Sequence, residues 1–316
     1  MEERKINLEY FLLRASGILL LLLLWEGAPR LGWVDAKVLP PFSTVVGAIF
    51  ELWHKDHLFR NAMVSLWRVV IGLMLASAVA IPLGMALGYR FTSLLHTLNP
   101  LFRILGQVNP FSLTPVFLMF FGIGEGAKLA IATWVCLWPL LHNTVLGVQT
   151  VDAVLIKTAH SMKTSPLDLA FKVLLPGAAP FLFTGLRIGV QMCFFMMIAG
   201  EMLGATAGLG WLLHTYGHYF IAPKVYALGL CIVLLGVFVN QVLGFLEKSL
   251  SFWKESVETG RTAGISTRKA FHLGKRGAAL AVSLLAGLIF VGSLQVVEAN
   301  RVSRDPMPHS THQMHK

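Results

Sequence analysis

Long apolar runs alternate with short polar segments along the 316-residue chain. A run of about 20 apolar residues can cross a bilayer as an α-helix. The third run carries prolines and polar side chains, which are tolerated in lipid when neighbouring helices or a watery passage satisfy them. The pattern predicts an all-α, polytopic membrane protein with spans at residues 10–28, 63–89, 98–121, 127–147, 177–200, 225–246 and 277–297.

The first run could instead be a secretory signal peptide. A retained anchor is favoured, because no small-x-small cleavage site follows and Trp25-Glu26 would be a poor junction. Arg4, Lys5 and Arg14 lie on its amino-terminal side. Positive flanks stay in the cytoplasm, so we expect a cytoplasmic amino terminus.

Composition supports the membrane assignment. Residues are 55% hydrophobic and only 13% charged, with a mean hydropathy of +0.68, whereas soluble domains carry about 25% charged residues. The net charge of +10 could suggest a nucleic-acid partner. Its basic residues lie between apolar runs, however, which is the positive-inside pattern of a chain whose partner is the lipid bilayer and not nucleic acid. The cysteines, Cys136, Cys193 and Cys231, each lie inside an apolar run and read as packed thiols without metal-ligand spacing.

Residues 32–61 are expected to form an outer loop. Ser43 is placed to cap a helix over residues 44–55. One face of that helix would carry Val46, Ile49, Phe50 and Trp53. This pattern predicts an amphipathic helix lying along the outer membrane surface.

A polar segment at residues 151–176 separates two of the apolar runs. In its first half, apolar residues recur at helical spacing, which predicts a short helix with one apolar stripe: Val151, Leu155, Ala159 and Met162. Between this helix and the next, a turn at Lys163-Thr164 would be exposed. The pair of helices is either a protrusion that a partner can grip or an amphipathic loop resting on the headgroups.

The second half of this segment carries helix start and stop signals. Ser165 is an N-cap, Pro166 takes the first helical position, and Asp168 stands three residues after the cap. Pro176 lacks an N–H and is expected to end the helix.

The segment resembles the cytoplasmic coupling loop of binding-protein-dependent ABC importer permeases. That loop reads Glu-Ala-Ala, a short spacer, Gly, a longer spacer, then aliphatic-x-Leu-Pro. Alignment on Leu175-Pro176 places the triplet on Lys157-Thr158-Ala159 and the glycine on Lys163. Ala159, Val173 and the Leu-Pro ending match, while the glutamate and glycine are both replaced by lysine. Glycine would take a positive φ at no steric cost and lysine would not.

Other segments resemble the nitrate/sulfonate/taurine/bicarbonate branch of that family. They are Leu39-Pro40-Pro41-Phe42-Ser43, Phe121-Gly122-Ile123-Gly124-Glu125, Thr184-Gly185-Leu186-Arg187-Ile188 and Gly200-Glu201-Met202-Leu203-Gly204-Ala205. Each motif is short, but their order and spacing cover residues 39–247. The resemblance implies a type I importer transmembrane domain of about six helices, to which residues 277–297 add one more.

The resemblance also implies partners. A cytoplasmic ABC ATPase dimer would grip the loop, a second permease chain would form a homodimer or heterodimer, and a periplasmic binding protein would deliver a small solute. The branch suggests an anion such as sulfonate, taurine, nitrate or bicarbonate, although it also carries thiamine precursors and other small organics. The chain would then lie in a bacterial inner membrane as a non-catalytic subunit without a cofactor. The loop positions implied to couple to the ATPase are Lys157, Thr158, Ala159, Lys163, Thr164, Ser165, Asp168 and Pro176.

The predicted organisation follows from these segments. Residues 1–60 hold the anchor and outer helix, 61–247 the permease core, 248–276 a basic cytoplasmic segment, 277–297 the extra span and 298–316 a tail. His309, His312 and His315 in the tail could hold a divalent ion. A disordered, weakly interacting tail is the favoured alternative, so we predict no metal site.

Polar residues inside the spans are candidates for a translocation passage, since each costs free energy in lipid. The candidates are Gln107, Asn109, Ser112 and Thr114 in the proline-rich span and Gln191, Met196 and Glu201 after the polar segment. For any one of them, a helix–helix hydrogen bond is the competing explanation. Arg187 is expected to snorkel at the cytoplasmic end, with attraction of an anion as the alternative.

Two other functional classes fit less well. A secondary transporter would show internal repeats with discontinuous helices near the midplane, and no convincing repeat relates the two halves. A membrane enzyme would need convergent His, Asp or Glu groups on facing spans. Residues 122–128 carry glycines and a lysine but not the spacing of a nucleotide-binding loop.

Overall fold

The computed structural model describes residues 16–17, 19–250, 287 and 290–297, with only the backbone at 248–250. The first fifteen residues, the basic segment after residue 250, most of the predicted span 277–297 and the histidine tail lie outside the described residues.

Within the described residues the fold is helical and contains no strand. Residues 19–30 form helix α1. The elements that follow are α2 (Phe42–Lys55), α3 (Leu58–Met85) with a π-helical turn (Ala86–Arg90), α4 (Thr92–Gln107), α5 (Pro110–Phe121), α6 (Glu125–Gln149), α7 (Ala153–Ser161), α8 (Pro166–Leu169) with a second π-helical turn (Ala170–Leu174), α9 (Leu175–Met202), α10 (Leu209–His218) and α11 (Ala222–Leu250).

Four helical stretches are long and apolar enough to cross a membrane: Leu58–Arg90, Glu125–Gln149, Pro166–Met202 and Ala222–Glu247. They confirm the spans predicted at residues 63–89, 127–147, 177–200 and 225–246. The first predicted span begins outside the described residues. The described part of the last one, residues 290–297, is helical.

The span predicted at residues 98–121 is wrong as a single helix. α4 begins at Thr92, and α4 and α5 meet at a bend of 91°. Pro110 lacks an N–H and biases Asn109 towards extended backbone, where ψ is 116°. The Asn109 side chain then caps α5 by accepting from the Phe111 N–H. This pair is either a broken span or a re-entrant loop, and α4–α5 is the fifth candidate crossing.

The chain divides into two compact units, Met1–Phe59 with Leu212–Leu234, and Arg60–Trp211 with Leu235–Lys316. In the first unit, the Glu26 carboxylate accepts from the N–H and the hydroxyl of Ser43, both at 2.9 Å. Arg30 pairs with Glu26 at 2.5 Å. These bonds join α1 to the start of α2.

One expectation for α2 is wrong. Ser43 is not its N-cap, since the helix begins at Phe42 and Pro41 precedes it; the Ser43 hydroxyl is engaged by Glu26 instead. The face that packs inward carries Val45, Ala48 and Leu52, and the predicted membrane-facing residues lie on a different face. Phe50 and Trp53 are exposed. α2 therefore has two apolar faces, one packed against the protein and one available to lipid.

In the second unit, α6 is the central helix, and small residues bring its neighbours close. A Cβ on Gly185 of α9 would lie 2.8 Å from Asn143 Cβ, and one on Gly84 of α3 would lie 2.7 Å from Thr144. Membrane helices associate through such close backbone approaches, because apolar contact alone gains little in lipid. A buried core of Leu140, Leu141, Ala178 and Leu182, with Ala80, fills the space between these helices.

Candidate functional site

The segment joining α6 to α9 forms a helical hairpin, α7–α8 with its caps (residues 152–169), which we call the hairpin. α7 begins at Asp152, whose carboxylate accepts from the Val154 N–H at 2.8 Å. It ends at Ser161, and the Thr164 N–H returns to the Ala159 carbonyl at 3.2 Å. Lys163 makes this turn with a φ of 52°. The residue at the family's glycine position therefore adopts the left-handed backbone that glycine favours.

α8 is held by a side-chain cap, which confirms the predicted start. The Ser165 Oγ accepts from the Asp168 N–H at 3.1 Å and its hydroxyl donates to Asp168 Oδ2 at 2.8 Å. Lys172 pairs with the same carboxylate at 2.6 Å. Pro166 occupies the first turn, as expected. Both helices are therefore started by caps from neighbours in sequence, which fixes the ends of the hairpin locally.

Pro176 does not end the second helix. α8 continues through the π-helical turn Ala170–Leu174 into α9, and the whole stretch Pro166–Met202 is one candidate span. Pro176 lies in the first turn of α9, after the π turn. The missing N–H falls where hydrogen bonding changes from π to α spacing, so the proline is accommodated there.

One side of the hairpin packs on the bundle. Ala159 and Leu169 are buried against the core around Leu140 and Ala178. The Tyr89 hydroxyl and His160 Nε2 are 2.7 Å apart, which ties α7 to the π turn after α3. Of the predicted stripe, only Val151 and Ala159 take part in this core.

The other side of the hairpin is exposed. It presents apolar side chains that the bundle does not cover: Val154, Leu155, Met162 and Leu167, with Phe171 of the following π-helical turn exposed next to them in sequence. Lys157 and Lys163 are exposed on the same segment. An apolar surface with flanking charges is typical of a docking site for another protein.

At the opposite ends of α6 and α9 lies a buried ion network, formed by Ser65, Arg68, Glu125, Lys128 and Glu201. Arg68 binds Glu125 in a bidentate pair with both distances 2.7 Å, and it binds Glu201 at 2.5 Å. Lys128 lies 3.3 Å from Glu125. The side chains of Arg68 and Glu201 are 1% and 0% exposed. Buried charges persist when each is paired and hydrogen-bonded.

The network also holds the loop before α10 and the first turn of that helix. Glu201 accepts from the Gly210 N–H at 2.9 Å, and Arg68 donates to the Ala207 carbonyl at 2.8 Å. Gly208 has a φ of 122°, and a Cβ there would overlap the Glu201 carboxylate. The carboxylate and the loop therefore fit only with glycine at this position.

Sequence reasoning missed most of this network. Glu201 was predicted to face a passage, but it is fully buried among Arg68, Ser65 and Gly210. Arg68 itself lies inside an apolar run, and an ionisable residue at such a position is a signal that a partner is near. The identity of that partner could not be read from the spacing, since Arg68 and Glu201 are far apart in sequence.

A cavity of about 560 Å³ lies between α4, α5, α6 and α9, which we call the central cavity. Three of the predicted passage residues line it: Gln107, Asn109 and Met196. Further lining side chains that were not predicted are Arg103, Trp134, Trp138, His142, Asn143 and Phe195.

The remaining passage candidates lie elsewhere. Gln191 donates to Asn240 of α11 at 3.1 Å, which is the helix–helix bond given as its alternative. Thr114 is buried and donates to the Pro110 carbonyl at 3.5 Å. Ser112 is exposed and does not line the central cavity. Arg187 does not only snorkel, since it pairs with Glu247 at 2.6 Å.

Metal chemistry has no support in the part of the chain that the structure describes. No group of three or more His, Cys, Asp or Glu side chains there could hold an ion. All three cysteines are free thiols. The histidine tail lies outside these residues, so the idea that it binds an ion remains a hypothesis.

Comparisons with known proteins agree with this architecture. A family model described as "binding-protein-dependent transport system inner membrane component" matches residues 80–252. An ABC transporter permease protein of Methanocaldococcus jannaschii is 32% identical, over 80% of this chain and 96% of its own length. An aliphatic sulfonates transport permease protein of Bacillus subtilis is 27% identical, over 77% and 89%. The taurine transport system permease protein of Escherichia coli is 29% identical, over 75% and 88%.

Among solved structures, a chain of the MetNI methionine ABC transporter, in an inward-facing conformation, superposes with a TM-score of 0.52. The match covers 61% of this chain and 95% of that one, at 20% sequence identity. At this identity the likeness concerns the fold alone.

Proposed function

The chain belongs to the binding-protein-dependent transport system inner membrane components. From that premise we propose that its hairpin is the surface that an ATPase subunit binds to drive transport. The chain is the permease subunit of an ABC importer, in the branch that handles nitrate, sulfonates and taurine. ATP hydrolysis belongs to a separate cytoplasmic subunit. The exposed, capped hairpin between two spans is the observation that carries the proposal.

The shape of the hairpin suits transmission of force. Inverting a two-state gate from 1:99 to 99:1 needs about 5.5 kcal/mol, and a flexible joint would dissipate movement without passing it on. Here α7 and α8 are each capped, and α8 runs without a break into α9. A displacement at Leu167 is therefore carried along α9 as one body.

The contact chemistry differs from the family pattern at two positions. Lys157 replaces the glutamate of the resemblance, and it is exposed beside Leu155 and Val154. A positive charge at this position fits an ATPase groove with acidic residues. It also fits a heterodimer in which the second permease chain carries the usual glutamate.

We propose that the hairpin faces the cytoplasm of a bacterial cell and that the chain works as a dimer in the inner membrane, with two ATPase subunits below it. A periplasmic binding protein delivers the solute from the other side. The relatives named for aliphatic sulfonates and taurine support a small anionic or zwitterionic solute. Selection rests first on the binding protein, so thermal-shift screening of that partner identifies the solute.

Co-purification of the ATPase tests whether it binds the hairpin. Leu155 is exposed in α7, so Leu155→Asp places a charge on the proposed contact, and Lys157→Glu reverses the charge beside it. We expect both variants to lose the ATPase in detergent, because a charge left without a partner at an interface costs several kcal/mol, on the order of 2–5. Phe220, which is 91% exposed and lies outside the hairpin, supplies the control Phe220→Asp, which should retain it.

Two results would overturn the proposal. One is full ATPase association in both hairpin variants. The other is labelling of a Met162→Cys variant by a membrane-impermeant maleimide added from the outer side. Met162 is 76% exposed, so a cysteine there is accessible to the reagent. Cys136 and Cys193 are buried and Cys231 is half-buried, so a control without Met162→Cys gives the background.

A further inference from the structure

The central cavity lies at mid-depth of the bundle. Trp134, Trp138 and His142 are near the middle of α6, and Met192 is on the facing part of α9. Ligand sites of small molecules are cavities of about 300–1,000 Å³ with mostly apolar walls and a few convergent polar groups. The central cavity, at about 560 Å³, fits that description.

A cation without a counter-charge lies in this cavity. In the part of the chain that the structure describes, Arg103 forms no ion pair, and its side-chain bond goes to the neutral amide of Asn99 at 3.4 Å. By contrast, Arg68 and Arg187 each bind a glutamate at 2.7 Å or closer. Arg103 is exposed and lines the cavity, so its guanidinium is accessible to a ligand that enters there. An anionic ligand in the cavity would supply the counter-charge that Arg103 lacks among the described residues.

Other donors converge near Arg103. Gln107 is one helical turn further along α4, on the same face. Asn109 follows at the bend, and its carbonyl oxygen is taken by the Phe111 N–H at 3.0 Å. The Asn109 NH₂ group is therefore left to donate. All three side chains line the cavity and would offer N–H donors to oxygen atoms of an anion.

The opposite wall has a different polarity. His142 Nδ1 lies 3.0 Å from the Trp138 carbonyl, and since a carbonyl can only accept, Nδ1 carries the proton in the neutral ring. Nε2 is then an acceptor. Asn143 donates from Nδ2 to the Pro139 carbonyl at 2.8 Å, which leaves its side-chain oxygen as an acceptor. This wall suits a hydroxyl or ammonium group.

We propose that the central cavity is a transient binding site for a small oxyanion, sulfonate-like or nitrate-like, held by Arg103, Gln107 and Asn109. His142 and Asn143 on the facing wall favour a ligand that also carries a donor group, such as an aminosulfonate. The aromatic walls contribute no charge, which favours binding weak enough for the solute to leave, as conduction requires. This assignment rests on the proposed function and adds a selecting site within the permease itself.

Quenching of tryptophan fluorescence tests the site without transport. Iodide is titrated at constant ionic strength into the full chain purified with its ATPase. Trp134 and Trp138 report from the cavity, and a Trp134→Phe/Trp138→Phe variant identifies their share of the signal. We expect saturable quenching that taurine and methanesulfonate reverse. Arg103→Gln should weaken it by about tenfold or more, since a charge-assisted hydrogen bond is lost, and Arg103→Lys should keep most of it.

Arg90→Gln is the matched control, because Arg90 lies outside the central cavity. Linear quenching that is equal in the native chain and in Arg103→Gln would overturn the site. Circular dichroism and elution volume show that each variant is folded.

Transport separates the two proposals. In vesicles holding the permease, ATPase and binding protein, uptake of taurine and of nitrate is compared between the native chain and Arg103→Gln. ATP-driven uptake that falls by about tenfold in the variant supports the site. ATP-driven uptake that Arg103→Gln leaves unchanged overturns the site and leaves the proposed function standing. If quenching is saturable but both hairpin variants keep the ATPase, the result supports the site and overturns the proposal that the hairpin binds the ATPase.

Discussion

Helices α6 and α9 are held in opposite ways at their two ends. At one end, the ion network buries Arg68 and Glu201 between segments that are far apart in sequence. At the other end, the hairpin joins the same two helices through local caps and leaves Leu155, Met162 and Leu167 exposed. One end is closed by tertiary contacts and the other is shaped by its own residues.

The difference explains how a bundle can be both rigid and accessible. Paired charges in a low-dielectric interior allow few alternative arrangements, since each would leave a buried charge without its partner. The hairpin needs no such partner and can give its apolar face to another protein. Movement imposed at the hairpin would therefore be passed to a bundle whose far end is fixed.

The largest effect is expected when the network is broken. Among the described residues, Arg68→Met leaves the buried Glu201 and the partly buried Glu125 with Lys128 as the remaining cation. Removing one partner of a buried ion pair costs about 3–5 kcal/mol. We expect a lower temperature of unfolding in detergent, followed by circular dichroism, and less folded protein in membranes.

A matched pair of variants sharpens this test. Arg90→Met removes an arginine from the end of the same span, where the side chain is exposed, and should have little effect. Arg68→Met combined with Glu201→Gln should recover part of the loss. Equal stability of Arg68→Met and Arg90→Met would show that the network does not hold this end of the bundle.

A smaller effect is expected at the hairpin cap. Ser165→Ala removes both bonds to Asp168 and should cost about 1 kcal/mol, the usual value of an N-cap. Because the contact is local, the loss should appear as faster amide exchange in α8 with the unfolding temperature of the bundle unchanged. Ser161→Ala is the control, since the Ser161 hydroxyl only bonds back to the Lys157 carbonyl within α7. A global loss of stability in Ser165→Ala would contradict the local character of the hairpin.

The smallest effect, and of opposite sign, is expected at the turn. Lys163 has a φ of 52°, and left-handed backbone costs a non-glycine residue roughly 1–2 kcal/mol. Glycine avoids this cost but loses more backbone entropy on folding, by about 0.4–1 kcal/mol. Lys163→Gly should therefore slow amide exchange in the hairpin slightly. Met162→Gly, at a φ of −81°, should speed it, and the same direction in both variants would refute the explanation.

Much of the fold could be predicted from local signals. Four spans, the α8 cap at Ser165 and the unusual position of Lys163 follow from apolar periodicity, capping chemistry and a family pattern. Predictions failed where a residue had two chemically sensible uses. Ser43 can cap a helix, but Glu26 takes its hydroxyl; Pro176 can end a helix, but a π turn accommodates it.

The candidate site was predicted less completely than the fold. Gln107, Asn109 and Met196 were identified because polar or adaptable residues stand out in an apolar run. Arg103 was not identified, since an arginine near a polar segment looks like an ordinary flank until α4 and α5 are seen to bend at 91°. The partner of Gln191 was equally hidden, because Asn240 belongs to another helix.

The sequence by itself determined that this chain lies in a membrane, where its helices run and that a capped hairpin joins two of them. Each of these properties depends on residues within a few turns of one another, through hydrophobicity, capping and backbone preference. Only the tertiary structure decided which charges of the described residues are paired with one another. The pairing of charges depends on distances between segments far apart in the chain. A buried charge is stable only where the fold brings a partner of opposite charge to it.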